Sequence, residues 1–318
     1  MNNNKQKIDR SRRILLLTGG NGLIGRSIRE HSLANNWSII APTRQDLDLM
    51  DYGAVFGFLE KLKPETIIHA AGLVGGIKAN IAEPVSFLDA NLNMGRNVLM
   101  AARSCGTPNL INLGSTCMYP KQTNGDLSED KLMKGKLEPT NEPYAIAKLF
   151  TTKLCQYINK ESANRNFKTL IPCNIYGKFD NFLPETSHLI PAIIQKIHAA
   201  KLENHRTVVI WGDGTARREF MYASDLAEAI LLAADDIKRI PDIMNLGLGK
   251  DYSVNEYYML IAKILKWEGS FKHDLTMPVG MARKLCDIKK QKAWGWFAPT
   301  PLSVGIDETY RYYMENLL

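Results

Sequence analysis

The short apolar run Ile14–Leu17 ends in Thr18-Gly19-Gly20-Asn21-Gly22-Leu23-Ile24-Gly25, and a helical pattern opens at Leu23. A strand that turns through glycines at 19, 22 and 25 into a helix sets the unpaired N–H groups of the helix start against the turn. The first glycine allows the tight turn, the second close backbone approach to a phosphate, and the third close packing of helix on strand. This context predicts a dinucleotide site in which Gly19, Gly22, Leu23, Ile24 and Gly25 meet the pyrophosphate.

The pattern beyond the turn is that of an α/β fold. Apolar runs at Trp37–Ala41, Thr66–Ala71, Leu110–Leu113 and Thr169–Cys173 alternate with helical stretches at about 84–104 and 143–159. Such alternation predicts a Rossmann-type, doubly wound parallel sheet, and runs that are apolar throughout fit strands buried on both faces. After Tyr176 the rhythm breaks into a Pro- and Asn-rich loop. Helices are expected at about 190–200, 223–234 and 254–265, with a strand at Thr207–Trp211. We expect a nucleotide-binding domain from residues 11–177 plus about 218–250. A smaller interleaved α/β lobe would use about 178–217 plus 251–318, behind a polar tail at 1–10.

Composition narrows the partners. No apolar run reaches the roughly 18 residues of a membrane span, and Met1–Arg13 has no apolar stretch of signal length. The five cysteines show neither CxxC pairing nor metal spacing and read as reduced thiols in a cytoplasmic protein. A net charge of +7 suits an anionic ligand, but it is spread along the chain without the aromatic interleaving of nucleic-acid binders. No metal, nucleic-acid or membrane partner is expected.

Cofactor choice turns on the end of the second strand, where an NAD site places an acid for the ribose 2′-hydroxyl. Here the chain reads Ile40-Ala41-Pro42-Thr43-Arg44, with no acid before Asp46. Arg44 suits a 2′-phosphate, so NADPH is expected. Ala71, closing the third run, would also line the cofactor.

Tyr144-Ala-Ile-Ala-Lys148 puts a phenol and an ammonium on one helix face. A phenol of pKa near 10 becomes a useful acid when a neighbouring cation stabilises its phenolate. Ser115 follows the run Leu110-Ile-Asn-Leu-Gly114. It thus sits at a strand's C-terminal end, where open sheets bind ligands, and would hydrogen-bond the same carbonyl oxygen as Tyr144.

Together these residues resemble the extended short-chain dehydrogenases/reductases. Longer stretches resemble the GDP-L-fucose synthases among them: His69-Ala-Ala-Gly-Leu-Val-Gly-Gly-Ile77, Gly114-Ser-Thr-Cys-Met-Tyr-Pro120, Leu137-Glu-Pro-Thr-Asn-Glu-Pro-Tyr144, Asp180-Asn-Phe182, Ser187-His-Leu-Ile-Pro191 and Trp211-Gly-Asp-Gly-Thr-Ala-Arg-Arg-Glu-Phe220. The resemblance implies an NADPH-dependent enzyme, expected as a homodimer, that epimerises C3 and C5 of a GDP-4-keto-6-deoxyhexose and reduces C4. It also implies Cys117 and His188 as acid and base, with His188 beside the cofactor as well. Asn174, Lys196, Trp211, Arg218 and Lys284 would bind the GDP-sugar. Two departures stand out: Lys178-Phe179 replaces a Pro-His pair of relatives beside the pocket, and Gly20-Asn21 replaces a His-Arg pair of some. They leave open a reductase of a related sugar, such as a heptose, without epimerisation.

Overall fold

The computed structural model describes residues 12–122, 125–183, 186–277 and 280–317, so the tail expected at 1–10 lies outside the described residues. Its centre is a six-stranded sheet in the order Ile243–Leu246, Asn166–Pro172, Asn109–Leu113, Thr66–His69, Arg13–Thr18, Trp37–Ile40. Every neighbouring pair is parallel.

Side chains alternate across this sheet with the strand period of two. Leu15, Leu17, Ile68 and Ile111 enter one apolar cluster together with Ile28, Leu226 and Ile230. Leu16, Ile67, Leu110 and Phe167 enter another with Leu59, Val98, Leu99 and Ile158. The first cluster lies under helices Leu23–Glu30 and Ala223–Asp235, and the second under Tyr52–Leu62, Pro84–Ser104 and Glu142–Glu161. Both faces are therefore covered, which explains why the strands read as continuous apolar runs.

The strand order reverses direction between Arg13–Thr18 and Thr66–His69, and a doubly wound sheet opens its ligand crevice above the C-terminal ends at such a point. Gly19, Ala71 and Ser115 all follow strand ends on that rim.

A third cluster, containing Phe182, Ile190, Ile194, Ile210, Phe220, Tyr257, Ile261 and Tyr313, is the core of a smaller lobe. Its small sheets pair Thr207–Trp211 with Ser270–Asp274, and Arg217–Arg218 with both Tyr252–Ser253 and Arg283–Lys284. One segment departs from the expected division. Cys286, Ile288 and Trp296, assigned from sequence to the smaller lobe, pack into the nucleotide-domain cluster. Gln291 anchors this return by accepting from Gly247 N (2.8 Å) and donating to Gly247 O (3.0 Å), just past the sixth strand. No described helix is long and apolar enough to cross a membrane.

Candidate active site

The glycine turn is shaped by what a Cβ would strike. Gly19 sits at φ +73°, and a Cβ there would lie 2.6 Å from Ala71 N. A Cβ on Gly25 would lie 2.2 Å from Gly19 O and 2.6 Å from Gly20 Cα, backbone atoms that have no room to yield. Thr18 fastens the facing strand end, its Oγ1 accepting from Ala71 N (3.3 Å) and meeting His69 Nδ1 (2.8 Å). Burial pushes the His69 imidazole down to about 3, so it stays neutral and serves as a structural prop. Gly22 caps helix Leu23–Glu30 without any side chain, leaving its first N–H groups turned to the crevice. The cradle therefore fits a dinucleotide pyrophosphate.

Arg44 lies exposed in the turn after the second strand. Asp46 does not face that site: its carboxylate accepts from Thr43 N (2.9 Å) and Thr43 Oγ1 (2.7 Å), closing its own turn.

Ser115, Tyr144 and Lys148 converge on the same rim. Helix Glu142–Glu161 opens with Pro143 in its first turn, which places Tyr144 at the helix mouth and Lys148 one turn deeper. This helix lies close against Pro84–Ser104 because Gly95 leaves room for Thr151; a Cβ there would sit 2.3 Å from Thr151 Cγ2. Lys148 is 7% exposed, donates to Leu113 O at 3.0 Å, and has its Nζ 5.7 Å from the Tyr144 ring centre. Burial lowers its ammonium to about 8, so it remains mostly charged at neutral pH. Burial and the neighbouring Cys117 push the Tyr144 phenol up, while a hydrogen bond with Ser115 opposes them. Without a further positive charge the phenol holds its proton, as an acid awaiting substrate should.

Cys117 follows Ser115 in a short 3₁₀ turn, its N–H donating to Ser115 Oγ (3.2 Å) and its Sγ accepting from Asn141 Nδ2 (3.1 Å). Serine, cysteine and phenol thus meet at one point. His188 lies immediately before helix Leu189–Leu202, and burial lowers its pKa, keeping the ring neutral and able to accept a proton. In the same loop, burial lifts the Asp180 carboxyl to about 7, only partly offset by the Asn181 N–H.

The smaller lobe supplies cations. In the pairing of Arg217–Arg218 with Arg283–Lys284, Arg217 aligns with Arg283 and Arg218 with Lys284. Asp251 binds both members of the first pair, Arg217 at 2.8 Å and Arg283 at 2.5 Å. Strand alternation then turns Arg218 and Lys284 to the opposite side. Burial lowers the Arg218 pKa, marking it as a partly desolvated cation. Asn174 holds this strand by donating to Glu219 O at 2.9 Å, so its amide acts on backbone. Trp211 is 40% exposed, with Lys196 Nζ 5.0 Å and Lys78 Nζ 5.1 Å from its ring centre. Lys78, from the nucleotide domain, and Asn141 are site neighbours that sequence reasoning missed. Lys78 carries no motif signal, and Asn141 was visible only as part of the Pro-Thr-Asn-Glu-Pro-Tyr stretch.

Lys178 and Phe179 point elsewhere than the pocket the sequence suggested. Lys178 pairs with Glu30 (3.4 Å), while Phe179 packs against Tyr312 and beneath Arg26, whose guanidinium carbon is 3.8 Å from the ring centre. They tie the loop carrying Asp180 and His188 to the first helix and the C-terminal helix.

Comparison with known proteins agrees with this architecture. Residues 15–247 match the model of the NAD dependent epimerase/dehydratase family. The chain is 49% identical over 300 residues to a GDP-L-fucose synthase of Azorhizobium caulinodans, covering 94% of this chain and 96% of the relative. It is 47% identical over 302 residues to a GDP-L-colitose synthase of Yersinia pseudotuberculosis, covering 95% and 98%. Among solved structures, the GDP-mannoheptose C4 reductase MlghC of Campylobacter jejuni, with NADP bound, superposes with a TM-score of 0.87 at 29% identity, covering 96% of this chain and 99% of that one. The chain belongs to the NAD dependent epimerase/dehydratase family.

Proposed function

We propose that the protein is an NADPH-dependent epimerase/reductase of a GDP-4-keto-6-deoxyhexose, exchanging protons at C3 and C5 before reducing C4. The observation that carries this reading is the meeting of Ser115, Cys117 and Tyr144, with Cys117 N–H on Ser115 Oγ and Ser115 bonded to the phenol. Relatives named GDP-L-fucose synthase and GDP-L-colitose synthase at 49% and 47% identity support it.

The Ser115 and Tyr144 hydroxyls donate to the C4 carbonyl oxygen, drawing charge onto it and acidifying the adjacent C–H bonds. Cys117 and His188 take a proton from one face of the carbon and return one to the other. Each inversion passes through an enolate whose negative oxygen the same two hydroxyls hold. When bound, the nicotinamide supplies a hydride to C4. Tyr144 then gives its proton to the C4 oxygen, and the Lys148 ammonium stabilises the phenolate left behind.

Arg218 and Lys284 bind the diphosphate, and Trp211 with Lys196 contacts the nucleotide. Lys196 brings charge without the two-pronged geometry of an arginine. The absence of an acid after the second strand, Asp46 being held in its own turn, supports NADPH over NADH. A homodimer fits helix Glu142–Glu161, which exposes Ile146, Phe150 and Tyr157 along one side; light scattering of Phe150→Glu would show a monomer. Residence in the cytoplasm agrees with five free cysteines.

A C4 reductase acting without epimerisation is the second reading, favoured by the likeness to the C4 reductase structure. Product analysis decides between them. Incubated with GDP-4-keto-6-deoxymannose and NADPH, the enzyme yields GDP-L-fucose; a product with unchanged C3 and C5 would establish the reductase.

A further inference from the structure

We infer that Arg29 completes the cofactor's 2′-phosphate site together with Arg44. This inference rests on the NADPH reading above. The adenosine ribose of a dinucleotide in this fold lies between the glycine turn and the end of the second strand. Two observations put Arg29 at that place.

The first is the course of its side chain. Arg29 sits in the last turn of helix Leu23–Glu30, and helical side chains lean back toward the N-terminus. Its guanidinium accordingly reaches the turn, where Nη1 donates to Gly20 O and Asn21 Oδ1, both at 3.4 Å. Both bonds are long, use one nitrogen, and leave the planar fork well placed to take a phosphate.

The second is its neighbour across the turn. A Cβ built on Gly20 would lie 2.7 Å from Ala41 Cβ and 3.8 Å from Arg29 Cδ. Gly20 is therefore flanked both by Ala41, the first residue past the second strand, Trp37–Ile40, and by the arginine stem. Arg44 stands exposed three residues further on. Asp46, two residues past Arg44, has its carboxylate bound to Thr43. A phosphate monoester dianion arriving at Ala41 meets one guanidinium from the helix and one from the loop. A ribose with a free 2′-hydroxyl offers neither a partner of matching charge.

Position 21 gives the sharpest control. Since the Asn21 side chain already touches the Arg29 guanidinium, an arginine at 21 can present its own guanidinium at the same place.

The test is the affinity of the purified enzyme for NADPH and for NADH, by calorimetry, without sugar substrate. Wild type binds NADPH at least tenfold more tightly. Arg29→Ala weakens NADPH about tenfold and leaves NADH within a factor of two, and Asn21→Arg in the Arg29→Ala background restores NADPH. Wild type binding both cofactors equally would overturn the NADPH reading and this inference with it. Wild-type preference for NADPH that survives in Arg29→Ala would leave that reading intact and overturn the role of Arg29. Equal weakening of both cofactors, unrelieved by Asn21→Arg, would make Arg29 a structural support of the turn and also overturn it.

Discussion

The two sides of the cleft are held by different physics. On the nucleotide side, position is set by backbone contact: Gly19, Gly25 and Gly95 lie where a Cβ would strike neighbouring atoms, and Lys148 and His69 are buried behind them. On the side proposed to bind the sugar nucleotide, position is set by charge. Arg218 and Lys284 ride on two-residue strands whose alignment is braced by the half-exposed Arg217 and Arg283 on the buried Asp251 carboxylate. Close packing tolerates almost no change, whereas partly exposed ion pairs contribute little each and are readily exchanged. On the function proposed above, the chemistry is built on the rigid side and recognition on the adjustable one.

Substitutions should divide the same way. Tyr144→Phe, which removes the proton donor and keeps the ring, lowers kcat for NADPH oxidation about 10³-fold with little change in melting temperature. Gly25→Ala forces a methyl to 2.2 Å from Gly19 O; cofactor affinity measured by calorimetry should fall about 100-fold, with roughly 1–3 kcal/mol of stability lost in urea titrations. Across the cleft, Arg218→Ala should raise KM for the GDP-sugar about 30-fold while kcat changes much less, and Arg218→Lys should recover only part of the loss.

Proton-linked effects come next in size. Lys148 is lowered to about 8 by burial, so the ammonium form that the proposed mechanism needs dominates below that pH and is lost above it. kcat/KM should decline about tenfold per pH unit above pH 8, and Lys148→Arg, charged throughout, should shift any remaining activity's decline upward. Asp251→Asn, which loosens the arginine brace, should raise KM only about threefold. An Asp251→Asn effect as large as that of Gly25→Ala would erase the contrast between the two sides.

Much of the nucleotide side was legible in the sequence because its signals are local. The glycine spacing, the apolar runs and the Tyr144/Lys148 spacing each lie within eight residues. Helix Pro84–Ser104 and strand Thr207–Trp211 fall where the pattern put them. Three of the elements that were not foreseen show why. Helix Tyr52–Leu62 contains Gly53 and Gly57, which weaken any helical signal. The sixth strand, Ile243–Leu246, is short and interrupted by Asn245, a polar residue tolerated only because Tyr119, Leu127 and Asp287 satisfy its side chain. Helix Leu302–Asn316 buries few apolar residues and mixes Gly305 with charge. The sugar side was harder to read because its contacts join distant segments: Asp251 links positions 217 and 283, and Lys78 reaches Trp211 from the other domain. Lys178-Phe179 shows the converse, a departure that looked like pocket chemistry in sequence and serves as a loop anchor in the fold.

The central claim is that one polarised oxygen serves both proton exchange and hydride delivery. It is tested most directly by incubating the enzyme with GDP-4-keto-6-deoxymannose in D2O without NADPH and following the sugar by NMR. Deuterium is expected at C3 and C5, suppressed in Tyr144→Phe and in the pair Cys117→Ser, His188→Asn. A wild-type enzyme that leaves both carbons protonated, yet oxidises NADPH once it is added, would contradict it.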